Sequence, residues 1–316
     1  MRGGSERDTI FTAPHALAVD DRHLYVLDAD THQLSALRLA DGTLDWQKGG
    51  PRDSSVTPVA LTAAPAGHGV TVADATHGRL VTLDVAAGRP TAAIPFGAAA
   101  DARSLCALPD GGFLVAGADP AGALLRVSAA APPRKVALPW PDLAARHRLA
   151  VQLTLGSSPT PAGGCVVALA LGRGFALYDG ADYVVRQRYV EPFDLPGVTT
   201  TLRGGAAAYT RVERLDDTRL AARDVALSAD RVAVAFDGNT AFRARVVDLY
   251  DRRGGTYRRS LSFTGRIAAV ADDGHDLYVS FMRRGRAAVA AFPLPPLTTR
   301  PPTHGDSAAL GALTLH

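Results

Sequence analysis

Several kinds of residue are scarce in this chain of 316 residues, and each scarcity excludes a class of protein. Only two cysteines are present, Cys106 and Cys165, and they form neither a C-x-x-C pair nor a zinc-knuckle spacing. We therefore expect two buried, reduced thiols and no disulfide framework. Apolar stretches such as 165–171 are much shorter than the ~20 residues that cross a bilayer, so no transmembrane segment is predicted.

Charged residues are used unevenly. Lys48 and Lys135 are the only lysines, and the chain has three glutamates and one asparagine. Arginine supplies the other basic side chains, so the pI is about 9.0 although the formal net charge is only +3. Because the arginines are spread among aspartates, without a basic run that contains aromatics, no nucleic-acid partner is predicted.

An internal repeat indicates the architecture. A strand rich in small residues, a short turn and a strand with a central valine recur six times along the chain. The anchors are Val26, Val72, Val115, Val167, Val234 and Val279, at intervals of 43 to 67 residues. A period of this size is typical of propellers and solenoids, and small residues suit strands that crowd around a central axis.

Within each unit the apolar residues alternate as they do in strands, for example in 23–27 and 33–39. Turn signals such as 40–42 and 110–112 separate four strands per unit. No stretch with helical periodicity is long enough for a core helix. We predict an all-β, six-bladed β-propeller with four-stranded antiparallel blades, which spans 1–316 as a single domain.

Two segments of this ring need their own interpretation. The last unit ends in a proline-rich stretch before a fourth strand, so a terminal segment must supply that strand and close the ring, either 8–12 or 310–316. The longest interval places 191–222 on the face where the inner strands begin. This segment is either a lid or an added hairpin that pairs 199–202 with 209–214.

Two short segments resemble a known repeat. The residues 26–34, VLDADTHQL, and 72–80, VADATHGRL, resemble the V-x-D-x-x-N-H-R-V core of NHL-type repeats. The whole chain resembles the bacterial six-bladed propellers of the NHL/TolB-like type. The resemblance implies fold rather than activity, because this family includes sensor domains, protein-binding scaffolds, lactonases and lyases. We expect Asp28 and Asp74 to cap strand ends and bind turn amides.

A second resemblance involves 36–46, ALRLADGTLDW. It is similar to the A-x-D-x-x-T-G-x-x-x-W docking motif of quinone-dependent dehydrogenase propellers. Arg38 and Asp41 stand where that motif has Asp and Thr, and one unit alone carries it. We therefore interpret Trp46 as a packed residue of a hairpin.

Candidate site residues lie where the innermost strands begin, around the mouth of the channel of a propeller. These positions hold His15, Arg103, Ser104, Arg223, Asp224 and Arg266. Guanidinium groups match carboxylates and phosphates, so the sequence predicts an anion-binding channel mouth. The alternative is that each arginine pairs with an aspartate of a neighbouring blade or lies in solvent.

These observations favour a scaffold that binds a protein or a small anion and needs no cofactor. The alternative is a channel-mouth hydrolase or lyase with Ser104, His15 and Asp224 as its candidate set. No metal site is predicted, because the channel positions lack the glutamates, asparagines or several histidines that Ca²⁺ or Zn²⁺ would need. We favour a periplasmic or secreted protein over a cytoplasmic one, because propellers of this kind are often exported.

Overall fold

The computed structural model of the chain describes residues 11–64, 69–98, 101–117, 119, 123–141, 143, 152–159, 163–193, 195, 198–203, 209–214, 220–238, 242–283, 286–295, 297 and 313–315. The described part consists of β-strands, turns and loops and contains no α-helix. No segment of it therefore forms a helix with the length and hydrophobicity of a membrane span.

The first three blades are antiparallel sheets of four strands in chain order. Blade one consists of β1 (Pro14–Val19), β2 (His23–Asp28), β3 (Gln33–Arg38) and β4 (Leu44–Gly49). Blade two consists of β5 (Pro58–Ala63), β6 (Val70–Asp74), β7 (Arg79–Leu83) and β8 (Pro90–Pro95). Blade three consists of β9 (Ser104–Ala107), β10 (Phe113–Ala116), β11 (Leu124–Ser128) and β12 (Ala131–Val136).

The last three blades have the same strand order, with a hairpin between blades four and five. Blade four consists of β13 (Leu153–Ser157), β14 (Cys165–Leu169), β15 (Gly174–Tyr178) and β16 (Tyr183–Arg188). The hairpin consists of β17 (Val198–Arg203) and β18 (Tyr209–Arg214). Blade five consists of β19 (Ala222–Leu227), β20 (Arg231–Phe236), β21 (Val246–Asp251) and β22 (Tyr257–Ser262). Blade six consists of β23 (Arg266–Asp272), β24 (Asp276–Arg283), β25 (Arg286–Pro293) and β26 (Leu313–Leu315).

This arrangement confirms the predicted all-β ring of six four-stranded antiparallel blades. The innermost strands are β1, β5, β9, β13, β19 and β23, and each lies beside the next around the ring. We call the face where these strands begin the top face and the opposite one the bottom face. The small residues of the inner strands allow this close approach, because a Cβ at Gly156 would collide with the carbonyl of Val225 in the next blade.

The hydrophobic core consists of apolar layers between neighbouring blades. Tyr25 and Trp46 of blade one pack with Val72 of blade two in one such layer. Leu24 of blade one and Tyr278 of blade six lie together in another, which joins the two ends of the ring. Every blade therefore depends on both neighbours to cover its apolar faces.

Trp46 joins the first two blades. Its indole Nε1 donates a hydrogen bond of 2.9 Å to the carbonyl of Val85. Gly88 packs against the ring with φ +61°, and a Cβ at this position would lie 2.7 Å from Trp46 Cε3. The predicted packed role of Trp46 is confirmed.

Two arginines bind neighbouring blades together at the bottom face. Arg126 of blade three donates to the carbonyl of Gly180 in blade four at 2.7 Å. Arg252 of blade five donates to the carbonyl of Ser228 at 2.9 Å and to that of Gly163 in blade four. Both contacts satisfy turn carbonyls that no strand partner reaches.

A third arginine, Arg231, is completely buried between blades five and six. Its guanidinium donates to the carbonyls of Gly274 and Pro295. Its Nε lies 2.9 Å from Asp230 Oδ1 and 3.3 Å from Asp272 Oδ2. A buried cation with several polar neighbours is costly to break, because removal leaves those groups unpaired.

Cys106 and Cys165 form a disulfide, so the prediction of two reduced thiols was wrong. Both residues are buried, as predicted, and their Cα atoms lie 5.9 Å apart. The prediction failed because 59 residues separate the cysteines in sequence, whereas the ring places β9 of blade three beside β14 of blade four.

Two predicted peripheral features can be located. The fourth strand of blade six is β26, which lies within 310–316 and pairs with β25. Residues 8–10 of the other candidate segment lie outside the described residues, and closure of the ring by a terminal strand remains a prediction. In the segment 191–222, β17 and β18 pair antiparallel, as in the hairpin alternative.

Candidate functional site

The six inner strands enclose a central channel with a volume of about 330 Å³. Every inner strand contributes residues to its wall. The polar residues that contribute to the wall are His15, Thr62, Arg103, Ser104, Gln152, Thr154, Ser157, Arg223, Asp224 and Asp272.

Five of the six residues chosen from the sequence line this channel, namely His15, Arg103, Ser104, Arg223 and Asp224. Arg266 does not contribute to the lining. It is exposed at the start of β23, directly opposite Met282 on β24. The expected convergence of three arginines is therefore reduced to two at the channel.

Ser104 links two blades. Its Oγ donates to the carbonyl of Leu155 at 3.2 Å and accepts from the amide of Leu155 at 2.9 Å. Leu155 belongs to β13, so this hydroxyl fastens the inner strand of blade three to that of blade four. The hydroxyl proton is engaged by a backbone oxygen and not by an imidazole, which is unlike an activated nucleophile.

Asp224 joins three blades. Its Oδ2 accepts a hydrogen bond of 2.8 Å from the amide of Val270 in blade six. Its Oδ1 accepts one of 3.4 Å from the hydroxyl of Thr154 in blade four. Burial raises the pKa of Asp224 to about 7, against the effect of the amides of Val270 and Val225 and of the Thr154 hydroxyl. A large part of this carboxyl is thus protonated at neutral pH.

The two channel arginines have different surroundings. Arg223 Nη2 donates to Oδ2 of the buried Asp237 at 2.9 Å. The alternative interpretation expected each arginine to pair with an aspartate of a neighbouring blade, whereas Asp237 belongs to the same blade as Arg223. Arg103 is exposed and has no ion-pair partner among the described residues. Its stem packs close to Gly117, where a Cβ would lie 2.7 Å from Arg103 Cγ. Arg103 is therefore the channel cation that is free to bind an anion.

His15 lies at the channel wall of blade one. Its Nδ1 donates to the carbonyl of Leu27 at 3.1 Å, which leaves Nε2 as the acceptor of the neutral ring. Burial lowers the pKa of His15, although the carbonyls of Leu27 and Val59 favour the protonated ring. The ring therefore becomes charged at a lower pH than an ordinary histidine.

Asp28 and Asp74 act as caps, as predicted. Asp28 accepts hydrogen bonds from the amides of Thr12 at 2.6 Å and Ala13 at 2.8 Å. Asp74 accepts from the amide of Thr57 at 3.0 Å and from Arg79 Nε at 3.0 Å. Although burial alone would raise them, these hydrogen bonds hold the pKa of both carboxyls below the usual range. Neither carboxylate is available as a catalytic base.

Asp237, which the sequence pattern did not single out, decides how much positive charge the channel mouth keeps. Its Oδ1 lies 3.4 Å from Nε of Arg243 and its Oδ2 binds Arg223, so one carboxylate serves two guanidinium groups. The only signal in the sequence was the Asp-Gly pair after a strand, which a turn explains equally well. Among the described residues no group of three or more His, Cys, Asp or Glu could hold a metal ion.

Comparisons with known proteins place the fold in context. The family model described as outer membrane protein assembly factor BamB matches residues 8–130, a region that includes Trp46 and the first eleven strands. No curated protein matches the chain. Hydrazine synthase of Kuenenia stuttgartiensis has a TM-score of 0.51 at 13% identity, over 92% of this chain and 98% of that chain.

Two further solved structures are similar. The β-propeller domain of Cps50 (Swd1) from Myceliophteria thermophila has a TM-score of 0.50 at 13% identity, over 87% of this chain and 96% of that chain. BamB from Moraxella catarrhalis has a TM-score of 0.44 at 13% identity, over 89% of this chain and 85% of that chain. The likeness to hydrazine synthase and Cps50, at 13% identity, shows the propeller fold and not a shared activity.

Proposed function

We propose that the protein is a binding scaffold whose channel mouth captures a carboxylate or phosphate group. The observation that carries this proposal is Arg103, which lines the channel, is exposed, and has no ion-pair partner in the described part of the chain. A guanidinium without a partner at the mouth of a cavity offers a planar fork to an anion. Arg223, whose side chain is 29% exposed, lies at the same mouth, but its ion pair with Asp237 leaves Arg103 as the unpaired cation among the described residues of the channel.

The titrating residues of the channel support an anion rather than a cation. The raised pKa of Asp224 removes part of its negative charge near neutral pH. His15 gains a positive charge as the pH falls below the ordinary histidine range. Both changes make the channel more positive at acidic pH, so anion affinity should increase from pH 8 towards pH 5.

Binding is favoured over catalysis by the hydrogen bonds of Ser104 and by the sequence comparison. Ser104 spends its donor and one acceptor on Leu155, which removes the nucleophile from the candidate catalytic set. The family model that matches residues 8–130 is described as outer membrane protein assembly factor BamB, and this description supports a protein partner. The ligand in this proposal is an acidic group carried by a protein partner.

We also propose a bacterial protein of the NHL type that works outside the cytoplasm. The matching caps of Asp28 and Asp74 support repeats of this type in blades one and two. The disulfide supports an oxidising compartment such as the periplasm, because cytosolic thiols are kept reduced.

Calorimetry of the wild type with inorganic phosphate, sulfate and succinate at low salt tests the anion site. Arg103→Ala should weaken binding about tenfold, the effect of losing one charge-assisted contact. Arg266→Ala is the matched control, because Arg266 lies on the same face but does not line the channel. The proposal fails if no anion binds to the wild type, or if the two variants lose affinity equally.

A further inference from the structure

The top face of blades five and six exposes two large apolar side chains. Phe242, in the turn between β20 and β21, is 60% exposed, and no other Phe, Tyr or Trp is exposed among the residues whose burial is described. Met282, on β24, is 38% exposed. Exposed aromatic and methionine side chains that lie together are typical of protein interfaces.

The turn that carries Phe242 is held in place. Ala244 is buried and adopts φ +54°, a left-handed conformation that a residue with a Cβ rarely adopts. Two hydrogen bonds maintain it, from the amide of Ala244 to the carbonyl of Asp237 at 3.0 Å and from the amide of Ile267 to the carbonyl of Ala244 at 2.7 Å. A strained turn that the surrounding structure fixes is a common feature of binding sites.

The second hydrogen bond brings this turn against the start of β23. Ile267 follows Arg266, and Arg266 lies directly opposite Met282. Phe242 and Met282 therefore lie on neighbouring segments of the top face. Arg266 is next to Ile267 in sequence and opposite Met282 in the sheet.

Arginines accompany these apolar groups. Arg243 and Arg245 flank Ala244, and Arg266 begins the neighbouring strand. Arg243 is 45% exposed and shares the carboxylate of Asp237 with Arg223. Arg245 and Arg266 are exposed and have no ion-pair partner among the residues that the structure describes. This rim therefore carries more positive than negative charge.

We propose that Phe242, Arg243, Arg245, Arg266 and Met282, which we call the rim patch, dock an acidic segment of a partner protein that carries an apolar side chain. The apolar side chain packs on Phe242 and Met282, and the carboxylates bind the three arginines. The rim patch contains no channel-lining residue, so this inference goes beyond the anion site and stands or falls separately.

The chemistry of the rim patch favours a protein over a nucleic acid. Single-stranded nucleic acids are bound by rows of aromatic rings along a basic groove, whereas Phe242 is the one exposed Phe, Tyr or Trp among the residues of this face whose burial is described. An aromatic anchor surrounded by arginines is instead the composition of a protein hot spot. The excess positive charge then selects acidic segments and repels basic ones.

Fluorescence anisotropy with three labelled peptides of equal length tests the rim patch. The first contains Asp and Glu with one Leu-Phe pair, the second replaces that pair by Gly-Ser, and the third is the Lys/Arg counterpart of the first. We expect the first peptide to bind most tightly, and Phe242→Ala and Arg245→Glu each to weaken it about tenfold or more. Leu44→Ala is the control, since Leu44 is 39% exposed on blade one, away from the rim patch.

The outcomes separate the two sites. Arg103→Ala should leave peptide affinity unchanged, whereas Arg266→Ala should reduce it and leave phosphate binding intact. If the wild type binds the first peptide but binds no phosphate, only the channel proposal is contradicted. The rim-patch proposal is overturned if the first peptide fails to bind, if it binds Phe242→Ala as tightly as the wild type, or if a single-stranded oligonucleotide competes more strongly than the acidic peptide. Unchanged thermal unfolding of each variant shows that the losses do not come from misfolding.

Discussion

Arginines on the two faces of the ring have opposite roles. At the bottom face Arg126, Arg231 and Arg252 donate to backbone carbonyls of turns and fasten neighbouring blades. At the top face Arg103 and Arg245 are exposed and have no ion-pair partner among the described residues. An enclosed guanidinium with fixed oxygens around it stabilises the fold, whereas one that faces solvent is available to a ligand. Enclosure by fixed oxygens or exposure to solvent therefore decides what an arginine does.

The largest effect is expected at Arg231. Arg231→Met leaves Asp272 and two carbonyls without their buried cation, which should lower the free energy of unfolding by about 3–5 kcal/mol. Urea unfolding measures the loss. Arg253→Met is the matched control, because Arg253 is exposed on the same face and should change stability by less than about 0.5 kcal/mol. Equal effects of the two substitutions would remove the distinction between enclosed and exposed arginines.

The disulfide is a second brace between neighbouring blades. The double variant Cys106→Ala and Cys165→Ala should lose about 2–4 kcal/mol of stability, because the cross-link restricts a long loop of the unfolded chain. Thermal unfolding of the wild type with and without reductant gives the same comparison without a substitution. Rapid labelling of both cysteines in the folded, unreduced protein would contradict the bond.

Asp224 makes stability depend on pH. Because the folded protein holds this proton more tightly than the unfolded chain, its contribution is present below about pH 4 and is lost as the pH rises towards 7. We expect a decrease of about 1–3 kcal/mol across this window, after allowance for water in the channel. In Asp224→Asn the free energy of unfolding should lack the part of this decrease that comes from Asp224. Urea unfolding of both proteins between about pH 4 and pH 7 measures the difference.

Burial also raises the pKa values of Asp248 and Asp272, both to about 6. These two carboxyls are present in the wild type and in Asp224→Asn, so they contribute equally to both pH profiles. The difference between the pH profiles of wild type and Asp224→Asn therefore isolates Asp224. Parallel profiles would show that this carboxyl is ionised throughout the range.

The smallest effect on stability is expected at the top face. Arg103→Ala and Arg245→Ala should each change the free energy of unfolding by less than about 0.5 kcal/mol, because neither side chain has an ion-pair partner to lose among the described residues. Urea unfolding of both variants, measured together with Arg231→Met, gives these changes in the free energy of unfolding. A loss of several kcal/mol at Arg103 would mean that the channel mouth is part of the framework of the ring.

Local chemistry was sufficient for several predictions. Asp28 and Asp74 follow strands and precede turns, and an aspartate in that position binds the nearest amides whatever the rest of the ring does. The alternation of apolar residues likewise predicted strands, because side chains of a strand point to its two faces in turn. The channel mouth could be predicted in part, since position in the repeat placed His15, Arg103 and Arg223 correctly.

What the sequence by itself determined is the repeat, and with it the six blades, the inner strands and the caps, because each depends on residues close together in the chain. Only the tertiary structure decided that Cys106 meets Cys165, that Asp237 neutralises Arg223, and that Arg266 lies opposite Met282 and outside the channel lining. These outcomes depend on side-chain direction and on the closure of the ring. The pairing of the cysteines is fixed by distances of a few ångströms between neighbouring blades, which a separation of 59 residues does not reveal.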